Sequence, residues 1–293
     1  MMLQDRRCAN TRRNYAADLR DFFGGTPNPG ELQVFLSQDT AGMAFTLNAY
    51  KGELLSRQLS EATINRRLAA LKSLIRFARR IGACLVDPKG LVDNERVRAY
   101  RDTAGISVDE VRAILSQPNP MTVKGKRDLG ILRLLCDNAL RRAEVCALDT
   151  SDFRPEESRL YILGKGRGTQ KEPITLNVKT VEAITAYLEA CGRVGVDGPL
   201  FLNCDRRGTA TRLTPEGLYR VVQFYARKAG ISKPMSPHRL RHSAITAALD
   251  ASEGNVRAVQ KFSRHARIET LLLYDDNRQD MQGEITRMLG DTW

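Results

Sequence analysis

The chain has 293 residues, more than one small core needs and enough for two domains. It carries 46 Lys and Arg against 34 Asp and Glu, a net charge of +12 that points to a polyanionic partner, nucleic acid ahead of a membrane surface. A merely basic soluble enzyme accounts for that charge equally well, but no apolar run reaches the roughly 18 residues that a membrane span needs.

The start, Met1 to Asn14, is polar and Arg-rich and lacks the apolar core of a secretory signal. Six cysteines are scattered and none forms a C-x-x-C pair, so neither a zinc ribbon nor a redox motif is indicated. Free thiols in a reducing cytoplasm are the expectation.

Periodicity predicts helices through the first part of the chain. Thr11–Phe23 puts Tyr15, Leu19, Phe22 and Phe23 on one face. A Gly/Pro/Asn loop, Gly24–Gly30, precedes helices over Leu32–Ser37 and Ala41–Arg57. Ser60 then caps a strong helix with Ile64, Leu68, Leu71, Leu74, Ile75 and Ala78 along one stripe. Its other face carries Arg66, Arg67, Lys72, Arg76, Arg79 and Arg80, a solvated face or a phosphate-contacting one.

Asp87–Thr103 reads as a linker: Pro, Gly and charges with weak periodicity. Ser107 with Glu110 has the form of a capping box and opens a new domain. Helices follow over Ser107–Ser116 and Lys126–Asn138, and another begins near Arg141. Leu160–Leu163 and Pro173–Leu176 are β-type runs around Gly164-Lys165-Gly166-Arg167-Gly168, a predicted hairpin. Helices return over Lys179–Cys191, Thr214–Ala229, Ser236–Asp250 and Val256–Phe262. The fold class is therefore mainly α with a small antiparallel β-sheet.

All three histidines, His238, His242 and His265, lie in the last fifth of the chain. Ser236-Pro237 is a helix start, with Ser as N-cap and Pro at the first helical position. It places His238 and Arg241 three apart in the first turn, where backbone N–H groups and the helix dipole favour a phosphate. A metal site of His238 and His242 lacks a third ligand and the intervening Glu of a zinc hydrolase. Upstream, Glu144 stands three residues after Arg141 and can orient it or simply pair with it. Downstream, Tyr274 follows His265 by nine residues.

The order Arg…Lys…His-x-x-Arg…His…Tyr in these contexts resembles the tyrosine recombinase (phage integrase) family, of the simple two-domain Xer-like type. The resemblance rests on ALRRAEVCALDTSDF (139–153), ILGKGRGTQKEPITL (162–176), SPHRLRHS (236–243) and FSRHARIETLLLY (262–274). LSEATINRRLAALKSLIRFARRIG (59–82) is similar to the family's helical core-binding domain. The motifs are individually weak, but together and in order they are specific, and they cover nearly the whole chain.

The resemblance implies a helical core-binding domain over 1–98 and a mixed α/β catalytic domain over 103–293, clamped around duplex DNA. It assigns Arg141 and Arg241 as phosphate-clamping arginines, Lys165 as the catalytic lysine, and His238 and His265 as the motif histidines. Tyr274 becomes the nucleophile and Glu144 a supporting acid. Arg142 stands beside Arg141, and Arg167 and Lys171 flank Lys165; the match and the hairpin position favour Arg141 and Lys165. The family usually carries Leu-Gly where this chain has Ser263-Arg264, and Arg264 reads as a solvated surface arginine or an added phosphate contact.

The implied activity is site-specific recombination through a 3′-phosphotyrosyl link and a Holliday junction. It uses no cofactor, no metal and no ATP, and runs in a homotetramer on paired double-stranded DNA sites in the cytoplasm, at the nucleoid. The tail from Asp275 to Trp293, with Met281, Ile285, Met288 and Leu289 at helical spacing, packs on a neighbouring subunit or folds back. A type IB topoisomerase-like relaxing enzyme and a non-catalytic DNA-binding protein on the same fold are the alternatives.

Overall fold

The structure is a computed structural model and describes residues 2–3, 9–97, 105–164, 170–203, 211–269, 271 and 281–292. The chain divides into two compact units, Met1–Arg101 and Asp102–Trp293.

The first unit is helical: α1 (Ala9–Phe23), α2 (Pro29–Leu36), α3 (Thr40–Ser56) and α4 (Glu61–Arg80). The predicted α4 stripe is its core. Ile64, Leu68, Leu71 and Ile75 are fully buried, against Met43, Leu47 and Leu54 of α3. Phe22, Phe23, Phe35 and Tyr50 close one end as edge-to-face rings, with Phe22 4.9 Å from Tyr50 and 5.3 Å from Phe35.

The basic face of α4 is largely turned to internal work. Arg66 pairs with buried Asp18 at 2.6 Å, Arg67 with Asp21, and Arg79 with Asp87 at 2.6 Å. Asp21 also takes hydrogen bonds from both terminal nitrogens of Arg57 and then from Tyr50, which hold its carboxyl down at about 2. Arg76, Arg79 and Arg80 remain exposed, so the Arg79–Asp87 pair lies at the surface.

The expected linker starts later than its composition predicts. Leu91 and Val92 are buried in the first unit. Asn65 exchanges two hydrogen bonds with Glu95, Asn48 donates to Leu91 O, and Lys72 donates to Val92 O. Side chains of α3 and α4 thus satisfy a backbone without regular structure, which periodicity does not register. The remainder, from 98 to 104, lies outside the described residues.

The second unit runs α5 (Val108–Leu115), α6 (Val123–Asp137), α7 (Arg142–Ala147), β1 (Phe153–Arg154), β2 (Arg159–Leu163), β3 (Lys171–Thr175), α8 (Val178–Ala190), α9 (Pro215–Lys228), α10 (Pro237–Ala251), α11 (Val256–Ser263) and α12 (Met281–Gly290). The Ser107–Glu110 capping box is made in both directions, at 2.8 and 3.2 Å. The sheet is antiparallel in the order β1-β2-β3, with Leu160 opposite Ile174 and Ile162 opposite Glu172. Leu160 and Ile162 point into the core from the middle strand. Pro173 is tolerated because β3 is an edge strand.

Ile106 N–H donates to Ser243 Oγ at 2.9 Å, and a Cβ on Gly105 would lie 2.8 Å from Ser243 Cα. The chain therefore enters this unit in close contact with α10, and glycine is what lets it pass. In α12, Met288 and Leu289 are 65% and 46% exposed. No helix among the described residues is long and apolar enough to cross a membrane. The described cysteines, Cys84, Cys136, Cys146 and Cys191, form no disulfide.

Candidate active site

The site is built on the corner between α6 and α7. Past Asp137 the chain turns through Ala139 at φ +46°, and Arg141 becomes the N-cap of α7. Left-handed backbone is unfavourable for a residue with a Cβ. At this corner the buried Ala139 carbonyl is the object of two guanidinium groups, which offsets the strain. Arg241 donates to it through Nη1 and Arg264 through Nη2. Asn138 Nδ2 donates to Thr175 O at 2.9 Å and so ties the same corner to the end of β3.

Arg241 comes from the first turns of α10. Ser236 Oγ caps that helix by accepting from Arg239 N–H at 3.2 Å, with Pro237 at the first position as predicted. Arg241 is only 2% exposed. Its Nη2 donates to Ser263 O and lies 3.4 Å from His265 Nε2.

Arg141 is anchored on the neighbouring carbonyl. Its Nη2 donates to Arg264 O at 3.2 Å, and its Nη1 to Glu144 Oε1 at 2.7 Å. Glu144 Oε2 accepts the Arg141 backbone N–H at 2.8 Å, so this carboxylate both starts α7 and aims the guanidinium. Arg142 is exposed. Of the two adjacent arginines, Arg141 is the one built into the site.

Two histidines complete the described part. His265 is half-buried, with Nδ1 3.0 Å from Ser263 Oγ. Burial first, then the charges of Arg241, Arg141 and Arg264, push its pKa down to about 4, so its imidazole is neutral at physiological pH. His238 is exposed at the start of α10, and its Nε2 lies 2.8 Å from Nε2 of His242. The structure thus brings Arg141, Glu144, Arg241, His265 and His238 together. Lys165, Arg167 and Tyr274 lie outside the described residues. Leu271, three positions before Tyr274, is fully buried with Ala139, Ile245 and Leu249.

Lys171, a rival to Lys165, is engaged elsewhere: its Nζ donates to buried Asp152 at 2.5 Å. Arg264 is neither of the things its sequence position suggests. Its side chain is 10% exposed and its guanidinium is wholly turned inward, onto Asn138 O, Ala139 O, Phe262 O and Glu144. Those partners are far away in sequence or are backbone atoms, so no local pattern announces them. Ser263 has no sequence signal as a site residue; His242, weighed in the sequence only as a metal partner of His238, is instead its hydrogen-bonding neighbour one turn on. Among the described residues no group of three or more His, Cys, Asp and Glu is placed to hold a metal ion.

This architecture is matched along the whole chain. Residues 105–281 match the phage integrase family and residues 1–82 its N-terminal SAM-like domain. The chain belongs to the phage integrase family. This integrase-family chain is 47% identical to a tyrosine recombinase of Synechocystis sp., over 99% of its own length and 93% of the relative's. It is 30% identical to the tyrosine recombinase XerC of Myxococcus xanthus, over 90% and 86%. Solved structures share the integrase fold: XerH recombinase bound to a palindromic difH substrate (TM-score 0.69, 20% identity, 95% of this chain and 80% of that one) and a lambda integrase dimer bound to a COC′ core site (TM-score 0.65, 15%, 93% and 89%).

Proposed function

We propose that the protein is a site-specific DNA recombinase that cuts and rejoins strands through Tyr274. The observation that carries this reading is the pairing of two guanidiniums on consecutive carbonyls, Arg141 on Arg264 O and Arg241 on Ser263 O, with His265 against the second. Family membership supplies the rest.

A phosphodiester gains negative charge on its non-bridging oxygens during attack. Fixed guanidiniums stabilise that charge more in the transition state than before it. Arginine suits the task because its planar fork binds two oxygens and stays protonated. His265, kept neutral by burial, adds a third donor without adding repulsion to the arginines. A Tyr hydroxyl with a pKa of roughly 10 needs a proton acceptor, and His238 takes that part.

In the cleavage step the Tyr274 oxygen bonds to phosphorus and the bond from phosphorus to the 5′ oxygen breaks. Lys165 protonates the departing oxygen. Reversal of the same step on a partner strand rejoins DNA, and the phosphotyrosyl link conserves the energy of the bond. In this reading the unit Met1–Arg101 binds the core site and Asp102–Trp293 carries catalysis. A homotetramer on two sites exchanges strands through a Holliday junction, and the double-stranded DNA partner places the protein at the nucleoid.

The test is a nicked suicide DNA duplex in EDTA, drawn first from DNA flanking the gene, with wild type beside Tyr274→Phe. A protease-sensitive covalent adduct with wild type only, together with a synapsed junction, is the expected result. An adduct without synapsis would favour a relaxing topoisomerase. Tight, specific binding without any adduct would leave a DNA-binding protein on this fold.

A further inference from the structure

We infer that Arg264 is a positioning residue for strand cleavage, a buried guanidinium that locks both clamping arginines in place. The inference rests on the recombinase reading and deepens it.

Arg264 ends α11 at φ +56° and ψ +39°, backbone that favours glycine. Its side chain holds that place against a backbone preference. Nη1 donates to Phe262 O at 2.9 Å and to Asn138 O at 3.2 Å, and Nη2 to Ala139 O at 3.1 Å and Glu144 Oε2 at 3.3 Å. The anchor points of the clamp are Ala139 O and Ser263 O for Arg241, and Glu144 and Arg264 O for Arg141. Arg264 governs all four. Its guanidinium touches Ala139 O and Glu144, and its backbone supplies one of the two consecutive carbonyls and follows the other.

Charge adds a second effect. Glu144 is 3% exposed and is shared by Arg141 and Arg264. One carboxylate between two guanidiniums leaves a positive surplus beside the phosphate position. With Arg264 removed, Glu144 would neutralise Arg141 alone. Lysine could not replace it, because an ammonium does not span carbonyls from two chain segments and a carboxylate in one plane.

The full-length protein is assayed as Arg264→Met, which keeps much of the stem without charge, and as Arg264→Gly, which suits the left-handed turn and opens the guanidinium's space. Three quantities are read: the single-turnover rate of adduct formation on the suicide duplex, DNA affinity, and the thermal midpoint. Both variants should bind DNA like wild type and cleave about 100-fold more slowly, the scale of a misplaced catalytic group. Millimolar guanidinium should restore cleavage to the glycine variant and leave the methionine variant slow, a rescue that a merely structural role would not give.

Cleavage at the wild-type rate by either folded variant overturns the inference. So does a glycine variant that fails to fold, or whose rate and affinity fall together without rescue, since the residue is then structural. If wild type itself forms no adduct, the recombinase reading has failed, and the inference goes with it.

Discussion

His238 and His242 meet ring nitrogen to ring nitrogen, Nε2 to Nε2 at 2.8 Å, with their planes at 88°. They sit one turn apart on α10. One nitrogen must donate and the other accept, so the pair cannot carry two charges at that distance. Burial first, then His238, pushes His242 down to about 3, so His242 stays neutral beside its partner. His242 then fixes the ring that is to accept the Tyr274 proton. His242→Leu removes that partner and should slow adduct formation roughly 10- to 100-fold. His242→Gln keeps a polar partner and should lose less. Equal, unimpaired rates for both variants would show that His238 needs no such support.

The same burial makes stability depend on pH in a defined direction. His242 is depressed to about 3 and His265 to about 4, from 6.5 for each in an unfolded chain. As pH falls through 6.5 the unfolded chain takes up protons that the folded one refuses. The stabilisation is complete above 6.5 and is lost progressively toward the folded values. Each histidine contributes a slope of at most about 1.4 kcal/mol per pH unit. Asp21, held at about 2 mainly by Arg57, has an ordinary value of 3.8 and affects only more acid solutions. Urea unfolding between pH 6.5 and about 5 therefore reports the histidines. His242→Gln should flatten the slope by roughly half, and a wild-type midpoint constant across that window would contradict the buried, neutral assignment.

Arg241→Lys separates charge from geometry. The ammonium keeps the positive charge but cannot reach Ala139 O and Ser263 O together, so at least one of these carbonyls loses its Arg241 donor; Ala139 O would keep Arg264, whereas Ser263 O would lose its side-chain donor. Stability should fall by about 1–3 kcal/mol. Adduct formation should fall about 100- to 1,000-fold, the range for loss of one preorganised donor to a developing oxyanion. DNA affinity, set by many phosphate contacts, should change little. If lysine supports cleavage at the wild-type rate, charge alone suffices and the anchoring carbonyls are incidental.

Much of this was legible in the sequence because it is local. The α4 stripe, the Ser107–Glu110 capping box, the Ser236-Pro237 helix start and the paired strands all follow from spacing within a few residues. So does Glu144 under Arg141. What escaped was long-range or too short for a period. Strand β1 is two residues that exist as a strand only beside β2. The stretch 87–97 reads as a linker because its order comes from Asn48, Asn65, Lys51 and Lys72, none of them nearby in sequence. Arg264 looks like a surface residue because its partners, Asn138, Ala139 and Glu144, lie more than a hundred residues upstream.

The basic face of α4 shows why counting arginines overstates a nucleic-acid surface. Arg67 is 15% exposed and bound to Asp21, within a cluster that includes Arg57 and Tyr50. Arg76, on the same helix, is exposed. Arg67→Ala should destabilise the protein by about 1.5–3 kcal/mol, the range for a hydrogen bond to a charged group, and leave the salt dependence of DNA binding unchanged. Arg76→Ala should do the reverse: an unaltered unfolding midpoint, weaker binding, and a slope of log affinity against log salt shallower by about 1. Both variants are read by denaturant unfolding and by DNA titration at several salt concentrations. A shallower slope for a folded Arg67→Ala would mean that its ion pair opens to bind phosphate. An unchanged slope for Arg76→Ala would take Arg76 out of the DNA contact of this unit.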